Sequence, residues 1–217
     1  MAIYLKKFET QAAYEAAQSE LILPNVSLTV DNNTVHYNPS SPTPSYETVD
    51  LGLPSGTLWA KYNVGATSET EYGNYYQYGK GADDYSVTSG QSDYSGTEDP
   101  LATSADTAAQ VWGTNWHIPT QAQLKELTAN TTYEWTTING VNGAKFTAQN
   151  GNYIFIPAAG YYYNDSVIDA GVYCHYWGSS PGGSNKAYHL FFSNNIYGKG
   201  VYNVDRNNGY SVRPVIG

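Results

Sequence analysis

The chain has 217 residues and a formal net charge of −9, from 10 Lys and Arg against 19 Asp and Glu. Aromatic residues reach 15 %, with 22 Tyr, while charged residues stop at 13 %, so the chain can bury a core and general disorder is ruled against. An acidic chain with no basic run lacks the electrostatic footprint for nucleic acid or an anionic membrane, and neither is expected as a partner.

Tyrosine carries a large apolar body and a polar tip, which suits it to half-buried strand positions and to recognition surfaces. Most of the tyrosines are expected in sheets, leaving a minority for a binding surface. Cys174 is the only cysteine, which excludes an intrachain disulfide and a CxxC metal knuckle. No stretch approaches the roughly 18–20 apolar residues that cross a bilayer. The opening Met1–Phe8 lacks the order of a signal peptide, so folding in a cytoplasm is the expectation.

In chain order, residues 9–21 are strong helix formers without Gly or Pro and predict a helix. VSLTV and TVHY flank Asp31-Asn32-Asn33 and predict a hairpin. Residues 1–38 then form an attachment or oligomerisation module, the alternative being a simple extension of the main domain. Residues 39–45, PSSPTPS, read as a Pro/Ser linker. The main domain is expected over 46–217. Its stretch 79–100 is rich in Gly, Ser and Asp and predicts a long loop. Two helices follow, one capped by Ser104 and one opened by a Thr120/Gln123 capping box ahead of AQLKEL. Beyond Thr131 the chain reads as short strands and Gly/Asn turns, with YEWTT, AKFTA and NYIFIP paired. The fold class is α+β, with helices in the middle and a β-rich end.

Catalytic and metal patterns are weak. His36, His117, His175 and His189 are scattered and form no HxxxH pair, so zinc is not expected. Asp83, Asp84, Asp93 and Asp99 could gather round a hard cation, but a solvated acidic loop is the simpler reading. Glu134 with Asp165 or Asp169 is a pairing that any acidic chain offers. Gly79-Lys80-Gly81 and Gly198-Lys199-Gly200 lack phosphate-loop spacing. The tryptophans Trp59, Trp112, Trp116, Trp135 and Trp177 are assigned to the core. No cofactor is expected, and the chain reads as a binder, not an enzyme. In AYHLFF, 187–192, Leu190 and Phe192 share one face of a strand while His189 and Phe191 point the other way, outward.

Several segments occur together: VDLGLPSGTLWAKYNVGA (49–66), EYGNYYQYG (71–79), NWHIPTQAQLKEL (115–127), GNYIFIPAAGYYY (151–163), YWGSS (176–180) and GYSVRPV (209–215). In this order they resemble the C-type-lectin-like paralogous domain of gut Bacteroidales and their phages, over about 170 of the 217 residues. That family is distantly similar to the formylglycine-generating sulfatase-modifying enzymes, whose chemistry uses a Cys pair that this chain lacks. His117 stands where the family usually has Arg, and Gly178 where it often has Ser. The Glu-Pro-Asn or Gln-Pro-Asp loop that resembles calcium-dependent sugar binding is missing.

The final stretch also resembles the variable region of proteins diversified by retroelements, in which adenines of Asn-type codons are rewritten. The resemblance implies a variable region at 161–210 that includes Cys174. It implies ligand-binding positions at Tyr163, Asp165, Tyr173, His175, His189, Phe191, Asn194, Ile196, Tyr197, Tyr202, Asp205, Asn207 and Tyr210. The opening KKFETQAAYEAA is similar to openings of phage structural proteins of the same hosts. Together these imply a receptor-binding adhesin at a phage tail-fibre tip, carried on the virion after cytoplasmic folding. A bacterial cell-surface protein or glycan is the expected ligand, and a homo-oligomer, for instance a trimer, the expected assembly. The alternatives are a bacterial surface domain with a fixed ligand and, behind it, a sulfatase-modifying-type enzyme.

Overall fold

In a computed structural model the chain divides into two compact units, 1–45 and 46–217. The structure describes the backbone of 27–31 and 34–38, and residues 46–82, 94–194 and 199–217. In the first unit, β1 (Ser27–Asp31) pairs antiparallel with β2 (Thr34–Asn38), with Asp31 opposite Thr34, so the expected hairpin is present. The helix expected at 9–21 and the linker at 39–45 lie outside the described residues.

The second unit is mostly β, with two helices among the described residues, an α+β arrangement. Its first strands, β3 (Thr48–Asp50) and β4 (Leu58–Ala60), pair with each other, and the last strand, β15 (Val215–Ile216), joins β4 from the other side. The two ends of the unit therefore meet in one sheet. A short strand, β5 (Tyr76–Gln77), follows.

Helix α1 (Thr107–Trp112) starts two residues later than the sequence suggested. Its N-cap is Asp106, not Ser104: one carboxylate oxygen accepts from the Ala109 N–H and the other from the Ile118 N–H at 2.9 Å. Asp106 is buried, so a carboxylate that serves two segments displaces the hydroxyl cap. Helix α2 (Gln121–Asn130) opens with the expected capping box of Thr120 and Gln123. Its Leu124 and Leu127 enter the core.

Three strands then form a meander: β6 (Thr131–Ile138), β7 (Val141–Ala148) and β8 (Tyr153–Pro157). Asn139 and Gly140 turn between β6 and β7 with positive φ of 49° and 81°, the left-handed pair that a two-residue hairpin requires. A second such hairpin joins β9 (Tyr161–Tyr163) to β10 (Ser166–Ile168) through Asn164 and Asp165, at φ 48° and 59°. The sheet carrying the candidate site contains β11 (Tyr173–Gly183), β12 (Lys186–Ser193) and β13 (Gly200–Asp205), all antiparallel. Strand β14 (Gly209–Tyr210) lies between β9 and β5.

One core cluster joins Leu124, Leu127, Phe146, Ile154, Ile156, Leu190 and Phe192 beneath this sheet. A second gathers Tyr76, Tyr78, Trp112, Trp116, Trp177 and Tyr210. Of the five tryptophans assigned to the core, four are buried, and Trp135 is half-buried against the first cluster. Two buried arginines staple the unit. Arg213 donates to Asn63 Oδ1 and to the carbonyls of Ala60, Lys61 and Phe155. Arg206 donates to the carbonyls of Tyr94, Gly96, Lys186 and Gly183. Each guanidinium spreads its fork of donors over backbone carbonyls of separate segments, which a lysine could not do.

Candidate binding face

Strand periodicity divides β11 and β12 into two surfaces. Cys174, Tyr176, Leu190 and Phe192 point into the first core cluster. The alternate positions face the other way. His175 lies opposite Phe191 and Trp177 opposite His189, and Tyr202 of β13 completes the row beside His189. Two further rings reach this face from the neighbouring sheet. Tyr210 lies 4.4 Å from Trp177, 4.9 Å from His175 and 5.3 Å from His189, centroid to centroid. Tyr161 lies 5.2 Å from His175.

The neighbouring sheet can approach because Gly160 makes a parallel bridge with Cys174. Gly160 sits at φ +65°, and a Cβ there would run into the Ile168 carbonyl. Gly178, where the resembled family often has Ser, is also tight: a Cβ would stand 2.8 Å from Leu124 Cδ1 and 3.1 Å from the Tyr188 carbonyl.

The rings are graded in depth. Tyr210 and His189 form a floor, only 3 % and 6 % exposed, Tyr173, His175 and Phe191 are half-buried, and Tyr202 stands 44 % exposed. The imidazoles of His175 and His189 are stacked at 5.5 Å with planes 13° apart, and Phe191 packs 4.9 Å from His175. Tyr173 and Tyr202 flank Phe191 at 5.5 and 6.4 Å.

Burial sets the electrostatics of the floor. It pushes the His189 pKa down to about 4, against a hydrogen bond with the Tyr202 carbonyl. A carbonyl only accepts, so His189 Nδ1 carries the proton and donates across 3.2 Å. Burial, followed by the neighbouring His189, pushes His175 down to about 3. Both rings are therefore neutral near neutral pH. His175 Nδ1 is buried without a hydrogen-bond partner. Burial also raises the Tyr210 phenol, which accepts from Asn208 Nδ2 at 3.3 Å.

Of the thirteen positions expected to bind ligand, the structure brings six together: Tyr173, His175, His189, Phe191, Tyr202 and Tyr210. The face assignment for His189 and Phe191 holds, but their outward exposure does not. Tyr210 and the other rings cover His189, and Phe191 is only half open. Tyr210 is likewise floor and not surface. Cys174, expected in the variable set, belongs to the core face. Its thiol donates to the Ile156 carbonyl, and burial pushes its pKa up.

The remaining positions are dispersed. Tyr163 is exposed at the end of β9, and Asp165 occupies the left-handed turn that follows. Asp205 pairs across the strands with Lys186 at 2.9 Å, on the face opposite to Tyr202. Asn194 is exposed just past β12, and Asn207 is half-buried between β13 and β14. Ile196 and Tyr197 lie outside the described residues. Sequence reasoning missed Tyr161, although its i, i+2 relation to Tyr163 already placed the two on one face.

Among the described residues no three His, Cys, Asp or Glu side chains gather where they could hold a metal ion. Asp99 of the acidic loop accepts from the Ser180 hydroxyl, while Asp83, Asp84 and Asp93 lie outside the described residues. No helix among the described residues is long and apolar enough to cross a membrane. Comparison with family models, with curated proteins and with solved structures finds no match to this chain.

Proposed function

We propose that residues 46–217 form a ligand-binding unit on a C-type-lectin-like scaffold, and that its binding face is the aromatic side of β11–β12–β13. In this reading the chain is a receptor-binding adhesin of a phage tail-fibre tip, without catalytic activity, and residues 1–38 attach it to the particle or to sister subunits. The observation that carries the reading is the graded cluster of rings facing away from the first core cluster, closed at Tyr210 and open at Tyr202. Half-exposed aromatic anchors over a rigid floor lose little rotamer entropy on binding, and such anchors dominate interface energetics. Cys174, buried and hydrogen-bonded, lends no support to chemistry of the sulfatase-modifying kind.

One observation favours the second reading, a surface domain with a fixed ligand. His189 and Tyr210 are packed on several sides, and a packed position tolerates few replacements, whereas a diversified site needs tolerance. Diversification then concentrates on the open positions.

The test is binding of the purified chain to a panel of bacterial cells. The Tyr173→Ala/Tyr202→Ala double variant is expected to lose binding at least about tenfold, since each anchor contributes on the order of 1 kcal/mol or more. Tyr153→Ala, at an exposed tyrosine on β8, is the control and should bind like the parent. Equal binding by the double variant moves the site elsewhere.

A further inference from the structure

The floor of the aromatic face holds a pair of side chains packed for one protonation state. His175 and His189 stack at 5.5 Å with planes 13° apart. Rings from four strands close round His175: Tyr161 of β9 at 5.2 Å, Tyr173 of β11 at 6.0 Å, Phe191 of β12 at 4.9 Å and Tyr210 of β14 at 4.9 Å. Tyr210 and Phe191 also reach His189, at 5.3 and 6.3 Å.

Hydrogen-bond capacity decides what this packing accepts. A neutral imidazole carries one N–H and keeps its other nitrogen bare, whereas an imidazolium carries two N–H groups. His189 has the Tyr202 carbonyl as acceptor for its Nδ1. His175 Nδ1 is buried and has no partner. A neutral ring keeps that nitrogen bare, but a charged one leaves a buried N–H without an acceptor.

No counter-charge faces the pair from the strands packed against it. Strands β9, β11 and β14 contain no Lys, Arg, Asp or Glu. Strands β12 and β13 contain one each, Lys186 and Asp205, which pair with each other at 2.9 Å on the opposite face. Asp169, just past β10, reaches the Tyr161 phenol as an influence second to burial, and reaches neither imidazole. The titratable groups that do face the pair are the phenols of Tyr161, Tyr173, Tyr202 and Tyr210, which are neutral in acid. The core side of the same strands is indifferent to acid, since burial pushes the Cys174 thiol and the Tyr176 phenol up.

We propose that His175 and His189 are an acid-operated latch: proton uptake parts the stacked pair and lifts Tyr161, Phe191 and Tyr210 off it, while the core beneath stays packed. Two like charges side by side among apolar rings repel, and water reaches them only if the rings separate. The consequence for function rests on the reading of this face as the binding face. A partner held near neutral pH is then released in acid.

The test is an NMR titration of the full chain with labelled aromatic rings, from pH 7 down to about pH 4. The Tyr173, Phe191, Tyr202 and Tyr210 signals are expected to pass to a second set. The midpoint should lie between about 4, the value of packed His189, and 6.5, the value of an exposed imidazole. Phe146 and Phe192 signals should stay in place, and return to pH 7 should restore the first set. His175→Phe should keep the face closed throughout. His175→Gln, which also takes up no proton, is the second variant should the larger ring disturb packing.

Loss of the Phe146 and Phe192 signals together with those of the face means general acid unfolding and overturns the latch. So does a face that stays closed at the lowest pH. A transition that persists in both variants also overturns it, by assigning the proton to another group such as the buried Asp106. Binding is read separately, on the cell panel at pH 7 and one unit below the NMR midpoint, where about a tenfold loss or more is expected. A partner retained there, with the face signals moved, overturns this face as the binding face and leaves the latch standing.

Discussion

The two faces of β11 and β12 are built from alternate residues of the same strands, yet they follow different packing rules. The face with Cys174, Tyr176, Leu190 and Phe192 is buried at every position, and its polar groups are satisfied: the Tyr176 phenol donates to the Pro157 carbonyl at 2.7 Å and accepts from Asn63 Nδ2. The face with Tyr173, His175, His189, Phe191 and Tyr202 runs from buried to open, and it keeps a buried ring nitrogen without a partner. Native structures rarely leave such an atom unpaired, although Trp59 Nε1 and Ser179 Oγ in the buried interior share that state. The difference separates a face that is buried throughout from one that opens to solvent.

The largest test of that contrast compares adjacent phenylalanines. Phe192 touches Tyr133 at 4.8 Å and Phe146 at 4.9 Å in the core, so Phe192→Ala should cost about 3–5 kcal/mol by urea denaturation. Phe191, half-buried on the other side, should cost about 1 kcal/mol when truncated. Equal costs would mean that both faces are core, and the aromatic side would then no longer stand out as a surface.

Titration offers the next largest effect. In the unfolded chain both histidines bind protons near pH 6.5, whereas in the folded chain they do so only near about 3 for His175 and about 4 for His189. Between those limits the unfolded state holds more protons, so folding stability is complete above pH 6.5 and falls as the pH drops. From pH 6.5 to 5 the pair should account for a loss on the order of 2–4 kcal/mol. Urea denaturation across this range should show a steep slope in the parent and a flatter one in His175→Phe/His189→Phe. The same slope in both proteins would place the proton uptake on other groups.

Much of the frame was legible because it is local. Asn139-Gly140 announces its hairpin, Thr120 and Gln123 announce a helix start, and the period of two in 187–192 separates Leu190 and Phe192 from His189 and Phe191. What escaped depends on partners distant in sequence. Asp106 caps α1 because its second oxygen also serves Ile118, twelve positions on. His189 is buried because Tyr210, from another sheet, comes to lie over Trp177. No periodicity within 187–192 contains that information. Asp165 shows the converse: the resemblance implied a ligand contact, while its left-handed φ of 59° gives it a turn to make.

The smallest predicted effect bears most directly on why the two faces differ. His175 is ringed by Tyr161, His189, Phe191 and Tyr210, all within 5.5 Å centroid to centroid, and its Nδ1 donates to and accepts from nothing. A phenylalanine ring is somewhat larger than the imidazole but removes the buried, unpartnered nitrogen. If the aromatic face were tuned for stability alone, that replacement would already be optimal. His175→Phe should therefore raise stability at pH 7 by about 1 kcal/mol, the order of an unmet buried polar group, read as a higher urea midpoint with an unchanged slope. A loss of stability would mean that the imidazole is held by an interaction its ring contacts do not include. In that event His175 would belong with the satisfied residues of the core face, and the contrast between the faces would rest on exposure alone.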